Sequence, residues 1–314
     1  MMIIDAHAHL WGSGYTPAWW EESVGHGIAS FRNISLEQAI AAWEDGLDPY
    51  GDKIIAEMDA GGVDIALVVT IDYGLVLPGA ENDCRVPIEE QFVRMSEAAG
   101  KHPNRLFWGA GIDPRRINST KLVELAVKDL MAKAIKLYPP NGFYPNDKIV
   151  YPIYEKAVEF GVPVQLHVAP APPGLPYLRS KFCHPIHIDD VAVDFPELKI
   201  QAVHSGGPWF NDMMAIAEAR PNIYLDVGGW QPVLNRDKLE CYRRVRKMFD
   251  EIGPERVMWA SDWVGPSLLP QTSWLEAFLN IPQAVKEAGI EFTEEEKRFF
   301  LGRTASDFLG IYLG

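Results

Sequence analysis

Short apolar runs rich in β-branched residues recur along the sequence, and amphipathic stretches lie between them. Eight such runs can be counted, at positions 2–4, 65–71, 106–112, 134–137, 162–168, 198–203, 223–227 and 257–260. Continuous apolar runs of this kind are typical of strands buried on both faces of a parallel sheet. The intervening stretches predict helices at 87–100, 120–131, 152–160 and 237–252. A capping box at Thr293 and Glu296 predicts a last helix that ends near Gly310.

Eight strand–helix units favour an α/β fold, a closed (β/α)8 TIM barrel that occupies residues 1–314 as a single domain. An open doubly wound sheet is the alternative. The gap after the first strand is much longer than one helix and two loops require. It predicts an aromatic-rich loop region at 11–49, inserted on the barrel face where active sites form. This lid-like insertion either covers a pocket or only packs over the barrel mouth.

The amino-acid composition limits the classes of molecule that the protein is expected to bind. The chain has 47% hydrophobic and 23% charged residues, as globular proteins do, and its net charge of -14 argues against nucleic acid and anionic membranes. Its three cysteines are widely separated and form neither a disulfide framework nor a C-x-x-C motif. Since no apolar run reaches the ~18 residues of a membrane span and no signal peptide is evident, we expect a cytoplasmic protein with a small-molecule substrate.

Polar residues with metal-binding or acid–base side chains end several of the predicted strands. His7 and His9 follow the first strand, and because alternate side chains of a strand share one face, both are expected to point into the barrel. The others are Lys136, His167, His204 and Asp262, which end strands four, five, six and eight. A barrel brings all these strand ends to one rim. His7, His9, His167 and Asp262 therefore predict a site with three nitrogen ligands, one oxygen ligand and an open position.

The same residues carry a family resemblance over nearly the whole chain. The sequence resembles the amidohydrolase superfamily, in the amidohydrolase-related branch that includes aminocarboxymuconate-semialdehyde decarboxylase. The matching segments are Ile4-Asp5-Ala6-His7-Ala8-His9, Ile135-Lys136-Leu137-Tyr138-Pro139, Gln165-Leu166-His167, Asp194-Phe195-Pro196-Glu197-Leu198-Lys199, Ala202-Val203-His204-Ser205-Gly206-Gly207, Tyr224-Leu225-Asp226 and Ala260-Ser261-Asp262-Trp263. The resemblance implies a (β/α)8 fold and one divalent ion, zinc or alternatively manganese, on His7, His9, His167 and Asp262. It also implies that His204 is an acid/base that does not bind the ion.

Two assignments stay open on the residues alone. His204 can instead be a fourth nitrogen ligand or a residue that orients a ligand. Lys136 is ambiguous because binuclear relatives carry a carboxylated lysine on strand four; with one ligand cluster, we expect one ion and a structural or substrate-facing Lys136. The expected substrate-binding residues are Trp11, Arg32, Lys136, Arg179, His184, Trp209 and Trp263.

Three functions compete. The first is hydrolysis of a C–N or lactone C–O bond in a small cyclic or aromatic substrate, by metal-activated water with Asp262 or His204 as the proton acceptor. The alternative is non-oxidative decarboxylation of a hydroxy- or amino-substituted aromatic or dienoic acid. Against it, the segment from His204 to Trp209 lacks the Gly-Glu-x-Leu-Pro stretch common in benzoate-type decarboxylases. The third is a non-catalytic metal or small-molecule binding protein. Relatives lead us to expect a homodimer or a higher homo-oligomer.

Overall fold

The strands of the chain form one parallel sheet in sequential order. A computed structural model describes residues 1–77, 84–266 and 268–312. Each strand pairs in parallel with the next. The strands are β1 Ile4–His9, β2 Ile65–Val69, β3 Leu106–Gly111, β4 Ala134–Leu137, β5 Val164–His167, β6 Ile200–Val203, β7 Ile223–Asp226 and β8 Val257–Met258. Their number, order and direction confirm the predicted (β/α)8 barrel.

Backbone hydrogen bonds join the first and last strands. Ala6 N donates to Trp259 O at 3.2 Å, Asp262 N to His7 O at 2.8 Å, and His9 N to Trp263 O at 2.8 Å. The segment after β8 therefore continues alongside β1 as far as His9. This closure sets Asp262 directly against the two histidines of β1.

Helices alternate with the strands. They are α1 Ala18–Arg32, α2 Leu36–Asp45, α3 Asp52–Gly61, α4 Ile88–Lys101, α5 Ser119–Glu124, α6 Tyr151–Phe160, α7 Ile186–Asp194, α8 Phe210–Ala219, α9 Gln231–Arg236, α10 Lys238–Ile252, α11 Gln271–Leu279, α12 Gln283–Glu287, α13 Glu294–Arg298 and α14 Thr304–Leu309. Wider π turns at Leu125–Asp129 and Phe299–Arg303 continue α5 and join α13 to α14. Thr293 accepts from Glu296 N and so begins α13 with the predicted capping box. No helix in these described ranges is long and apolar enough to cross a membrane.

The first strand differs from its prediction. The apolar run at 2–4 predicted a strand that ends before His7, whereas β1 extends through His9 with every residue buried. Asp5 and His7 interrupt the hydrophobic pattern, but the Asp5 carboxylate and the Nε2 of His7 have polar partners inside the barrel, so the backbone continues as a strand. The two histidines consequently lie on the strand itself.

The insertion after β1 is also different from its prediction. The glycines between 11 and 49 predicted a loop region, but the structure contains the helices α1 and α2. Gly27 lies within α1, where a Cβ would collide with the carbonyl oxygen of Pro173 in the loop after β5. At the end of α2, a Cβ on Gly46 would lie 2.6 Å from Val264 O, in the segment after β8. Here glycine permits close packing of the insertion on two barrel loops.

The main core lies between the strands and the surrounding helices, and a separate apolar cluster lies at the barrel mouth. In the cluster at the barrel mouth, Trp11, Trp19, Trp20, Tyr73 and Tyr138 are all buried. The insertion supplies the three tryptophans, while the two tyrosines follow β2 and β4. The insertion thus contributes its own apolar layer above the ends of the strands.

Candidate active site

Three ligand atoms converge where β1 meets the segment after β8. His7 Nε2 lies 3.1 Å from His9 Nε2, and Asp262 Oδ1 lies 3.7 Å from the first and 3.3 Å from the second. His7 and His9 are buried, and Asp262 retains 20% side-chain exposure. Asp262 has a φ of 57°, a left-handed conformation that is uncommon for a residue with a side chain. The backbone turn there directs the carboxylate towards both imidazoles.

The spacing of these atoms fits one divalent ion. Two ligand atoms that are each ~2.0–2.1 Å from a zinc ion lie roughly 3–3.4 Å apart. The three measured separations are close to that range. His167, at the end of β5, faces the same cavity, and its buried Nε2 has no hydrogen-bond partner. It lies outside the three-atom group, although its ring centroid is 4.8 Å from that of His204. Buried polar atoms normally have a partner, and a metal ion bound by the neighbouring three ligand atoms would provide one for this imidazole nitrogen.

Asp5 ties the two halves of this cluster together. This buried carboxylate accepts hydrogen bonds from His7 N at 3.2 Å, from Ser261 N at 2.9 Å and from Gln271 Nε2 at 2.7 Å, and also from the Ser261 hydroxyl. Ser261 directly precedes Asp262. Asp5 therefore fixes the backbone on both sides of the cluster. Burial raises its pKa to about 6 against the lowering effect of these hydrogen bonds.

The electrostatics keep the imidazoles neutral and the carboxylate charged. Burial lowers the pKa of His7 and His167 well below the ordinary histidine value, and it lowers the pKa of His9 as well. Enclosure would raise the pKa of Asp262, but His204 and His9 outweigh it and hold that pKa below its usual value. Neutral imidazole and ionised carboxylate are the forms that bind metal ions.

Lys136 lies against the same cluster from β4. Its Nζ is 3.2 Å from His7 Nε2, and it lines the cavity. Burial lowers its pKa to about 8, opposed by Asp226 and Asp262. An amine in this position can carry a proton or give one up near neutral pH.

His204 begins the segment after β6 and is held by β7. Its backbone N donates to Asp226 Oδ1 at 3.1 Å, and its Nδ1 lies 2.8 Å from Gly228 O. Because a carbonyl only accepts, Nδ1 carries the hydrogen and Nε2 is the nitrogen left to exchange a proton. His7, His204 and Asp226 also place ligand atoms within 4.8 Å of one another. The Asp226 carboxylate also accepts hydrogen bonds from Gly228 N at 2.8 Å and from Gln201 Nε2 at 2.6 Å. It therefore serves to hold His204 in position.

A cavity of about 720 Å³ opens above these groups, with a wall that is mostly apolar. The imidazole and charged side chains on its wall are His9, Lys136, His167, His204, Arg236, Arg244 and Asp262. Aromatic rings form much of the remainder: Trp11, Trp20, Trp43, Tyr73, Tyr138 and Trp230. Trp11 stacks on His9 with ring centroids 5.3 Å apart. A cavity of this size and lining suits a small substrate with a large apolar or ring surface.

Comparison with known proteins identifies the family. The profile of the family described as amidohydrolase matches residues 4–311. The chain belongs to the amidohydrolase family. A stretch of 120 residues is also 28% identical to protein fluG of Emericella nidulans, covering 38% of this chain and only 13% of the fungal protein.

Solved structures share the fold of this amidohydrolase. The 5-carboxyvanillate decarboxylase of Novosphingobium aromaticivorans, complexed with manganese and 4-hydroxy-3-methoxy-5-nitrobenzoic acid, has a TM-score of 0.72 at 18% identity, covering 99% of this chain and 96% of its own. A dihydroxybenzoic acid decarboxylase of Polaromonas sp. JS666, with bound manganese and 2-nitroresorcinol, has a TM-score of 0.68 at 14% identity, covering 100% and 98%. These likenesses establish a common barrel architecture.

The barrel of this amidohydrolase brings together only part of the predicted substrate-binding set. Trp11 and Lys136 line the cavity. Among the described residues, the others lie outside its wall: Arg32, Arg179, His184, Trp209 and Trp263. Arg32 Nη1 donates to Leu268 O at 2.6 Å, and Trp263 Nε1 donates to Glu57 Oε2 at 2.6 Å. Trp209 packs against His184, with centroids 5.3 Å apart. Position after a strand end therefore does not by itself direct a side chain into the cavity.

Several site residues escaped the sequence prediction. Asp226 is the last residue of β7, just as Asp262 follows β8. It could therefore have been found by the same pattern of a polar residue at a strand end. Tyr73 and Tyr138 also follow strands and were detectable in the same way. Arg236 and Arg244 come from helices, and their approach to the cavity depends on how α9 and α10 pack. No local pattern indicates that packing.

Proposed function

We propose that this amidohydrolase is a metal-dependent carboxy-lyase that removes CO₂ from a small aromatic or dienoic acid without oxidation. The observation that carries the proposal is the position of His204, whose free Nε2 faces an ion-binding cluster inside an apolar, aromatic-walled cavity. Loss of CO₂ turns a hydrated carboxylate into neutral products, so a water-poor cavity favours it. Two of the solved structures support this choice, because they are decarboxylases complexed with manganese and nitrated phenolic compounds.

We assign the ion to His7, His9, Asp262 and His167, with zinc favoured by the three imidazoles and manganese as the alternative indicated by the relatives. A divalent ion held there supplies Lewis-acid polarisation of a substrate oxygen. Side chains of the protein supply the other groups that the reaction needs. Lys136, buried beside His7, places positive charge where an acid would bind.

In the proposed reaction the carbon–carboxyl bond breaks, its electron pair stays on the ring or dienoic carbon, and a proton from His204 Nε2 forms the new C–H bond. The hydrogen bond from Nδ1 to Gly228 O holds the ring and stabilises its protonated form. Solvent then returns the proton to His204. Aromatic side chains of the segment 11–49, including Trp11 and Trp20, cover the reacting carbon, so we propose this insertion as a lid that excludes water.

Hydrolysis is the second candidate, and the ionised state of Asp262 favours it. This carboxylate borders the cavity and has a lowered pKa, so it can accept a proton from an attacking water. The sequence alone had favoured this reaction. The apolar cavity wall and the decarboxylase relatives now give preference to the carboxy-lyase.

CO₂ release measured with a panel of hydroxy- and amino-substituted benzoates and dienoic acids, beside matched amides and lactones, separates the two reactions. We expect CO₂ from at least one acid, with solvent deuterium incorporated at the vacated carbon. His204→Asn should retain the ion and lose roughly two to four orders of magnitude in rate. His167→Ala is the contrasting variant and should lose the ion. Cleavage of amides or lactones with inert acids would refute the carboxy-lyase, and loss of the ion from His204→Asn would make His204 a ligand.

A further inference from the structure

A small polar recess adjoins the main cavity beside α8 and α10. Its volume is about 160 Å³, and its lining includes Asn211, Arg243, Arg244 and Lys247 together with the carboxylate of Glu240. Pro208 and Arg244 line both the recess and the main cavity. The recess therefore adjoins the main cavity at these two residues, and its polar, largely basic lining contrasts with the apolar wall of the cavity.

Arg244 is held firmly at the junction of the two spaces. Its guanidinium lies over the rings of Phe210 and Trp230, 5.1 Å and 5.8 Å from their centroids, and its Nε donates to Glu240 at 2.8 Å. Trp230 in turn donates from Nε1 to the carbonyl oxygen of His204 at 3.0 Å. Guanidinium has five N–H donors in a planar fork, and only Nε is engaged by Glu240, so the Nη donors are available to an anion.

Two further arginines add positive charge at this end of the cavity. Arg236 lines the main cavity at the end of α9, and Arg243 lines the recess. Within residues 1–77, 84–266 and 268–312 the structure gives neither arginine a carboxylate partner. The chain as a whole has 43 acidic and 29 basic residues. Arginines without a carboxylate partner are therefore unexpected in a protein with an excess of acidic groups. Both arginines are exposed to solvent, and a local basic patch on the surface of an acidic protein attracts an anionic group to that place.

We propose that Arg236, Arg243 and Arg244 form a subsite for a second anionic group of the substrate, a carboxylate distant from the one that is lost. The inference rests on the proposed function, in which the first carboxylate binds at the ion cluster. The substrate would then be an elongated acid with an apolar body, one carboxylate beside His204 and another at the junction of the main cavity and the recess, where Arg244 lies. A water molecule occupies ~30 Å³ of liquid volume, so the recess has room for a carboxylate with a few waters. Glu240 also lines the recess, and its ion pair with Arg244 offsets its negative charge.

Two matched series of inert aromatic acids test the subsite by direct binding. The first series is 4-alkylbenzoates, and the second is 4-(ω-carboxyalkyl)benzoates of the same chain lengths, titrated calorimetrically into the metal-loaded protein. At the chain length that spans the cavity, we expect the dianion to bind at least tenfold more tightly than the monoanion. Arg244→Gln and Arg236→Gln should each reduce that ratio to about threefold or less.

Arg94→Gln is the matched control, because Arg94 forms the same kind of helical pair with Glu90, as Arg244 does with Glu240, yet does not line the cavity. Its ratio should equal that of the wild type. Equal binding of the two series to the wild type at every chain length, or a ratio that is unchanged in both Arg236→Gln and Arg244→Gln, would overturn the subsite. If monoanions bind without any gain for dianions, only the subsite fails. If dianions bind through the arginines while no acid releases CO₂, the subsite stands and the proposed reaction fails.

Discussion

At the scale of single residues, Asp5 shows how much of the site depends on a side chain that does not face the cavity. Asp5→Ala removes the acceptor for two backbone N–H groups and two side-chain donors. Since each buried unsatisfied donor costs ~1–3 kcal/mol, we expect the free energy of unfolding in urea to fall by about 3 kcal/mol or more. Metal affinity should fall ~10–100-fold because His7 and Asp262 lose their support.

Asp5→Asn is the milder comparison, since its remaining oxygen can still accept from His7 N and Ser261 N. It should lie between Asp5→Ala and the wild type in both measurements. A stability and a metal affinity of Asp5→Ala equal to those of the wild type would show that the hydrogen bonds of Asp5 do not organise the cluster.

At the scale of elements, the packing of α1 on the barrel depends on Gly27. Replacement of a helical glycine by alanine normally stabilises a protein by ~0.5–1 kcal/mol. Gly100 in α4 has open space around its missing Cβ, so Gly100→Ala should show that gain. Gly27→Ala should instead lower the free energy of unfolding by ~1–3 kcal/mol, because its Cβ meets the carbonyl of Pro173. Urea denaturation of both variants measures these changes in the free energy of unfolding. An equal increase in the two variants would mean that α1 is not fixed on the loop after β5.

The same elements show what the sequence could and could not predict. The eight strands were predictable because they are buried on both faces and therefore read as unbroken apolar runs. His7, His9, His167, His204 and Asp262 could be placed on one rim by strand counting alone. The helical insertion was missed because Gly25 and Gly27 resemble loop residues until their contacts are known, although Ser35 and Gln38 form a capping box that indicates the start of α2. Arg236 and Arg244 gave no signal because their relation to the cavity arises from the packing of helices that follow β7.

At the scale of the whole molecule, the candidate ion site joins distant parts of the chain. Its proposed ligands come from β1, β5 and the segment after β8, and the hydrogen bonds that close the barrel lie within two residues of His7, His9 and Asp262. The strained φ angles of His204 and Asp262, 68° and 57°, lie on the same rim. Closure of the barrel and assembly of the site are therefore one structural event, and an ion bound there should stabilise the entire fold.

Thermal unfolding with and without added metal tests this link. An ion present at 100 times its dissociation constant stabilises the folded state by ~2.7 kcal/mol, provided that it binds only that state. For a chain of this size we expect Tm to rise by roughly 4 °C on addition of zinc or manganese to metal-free protein. His9→Ala should lose most of that rise because it removes one ligand of the cluster. His102→Ala is the control, since His102 pairs with Asp52 at 3.2 Å at the end of α4 and contributes nothing to the cavity wall. A rise of the same size in His9→Ala and His102→Ala would place the ion elsewhere and would separate metal binding from closure of the barrel.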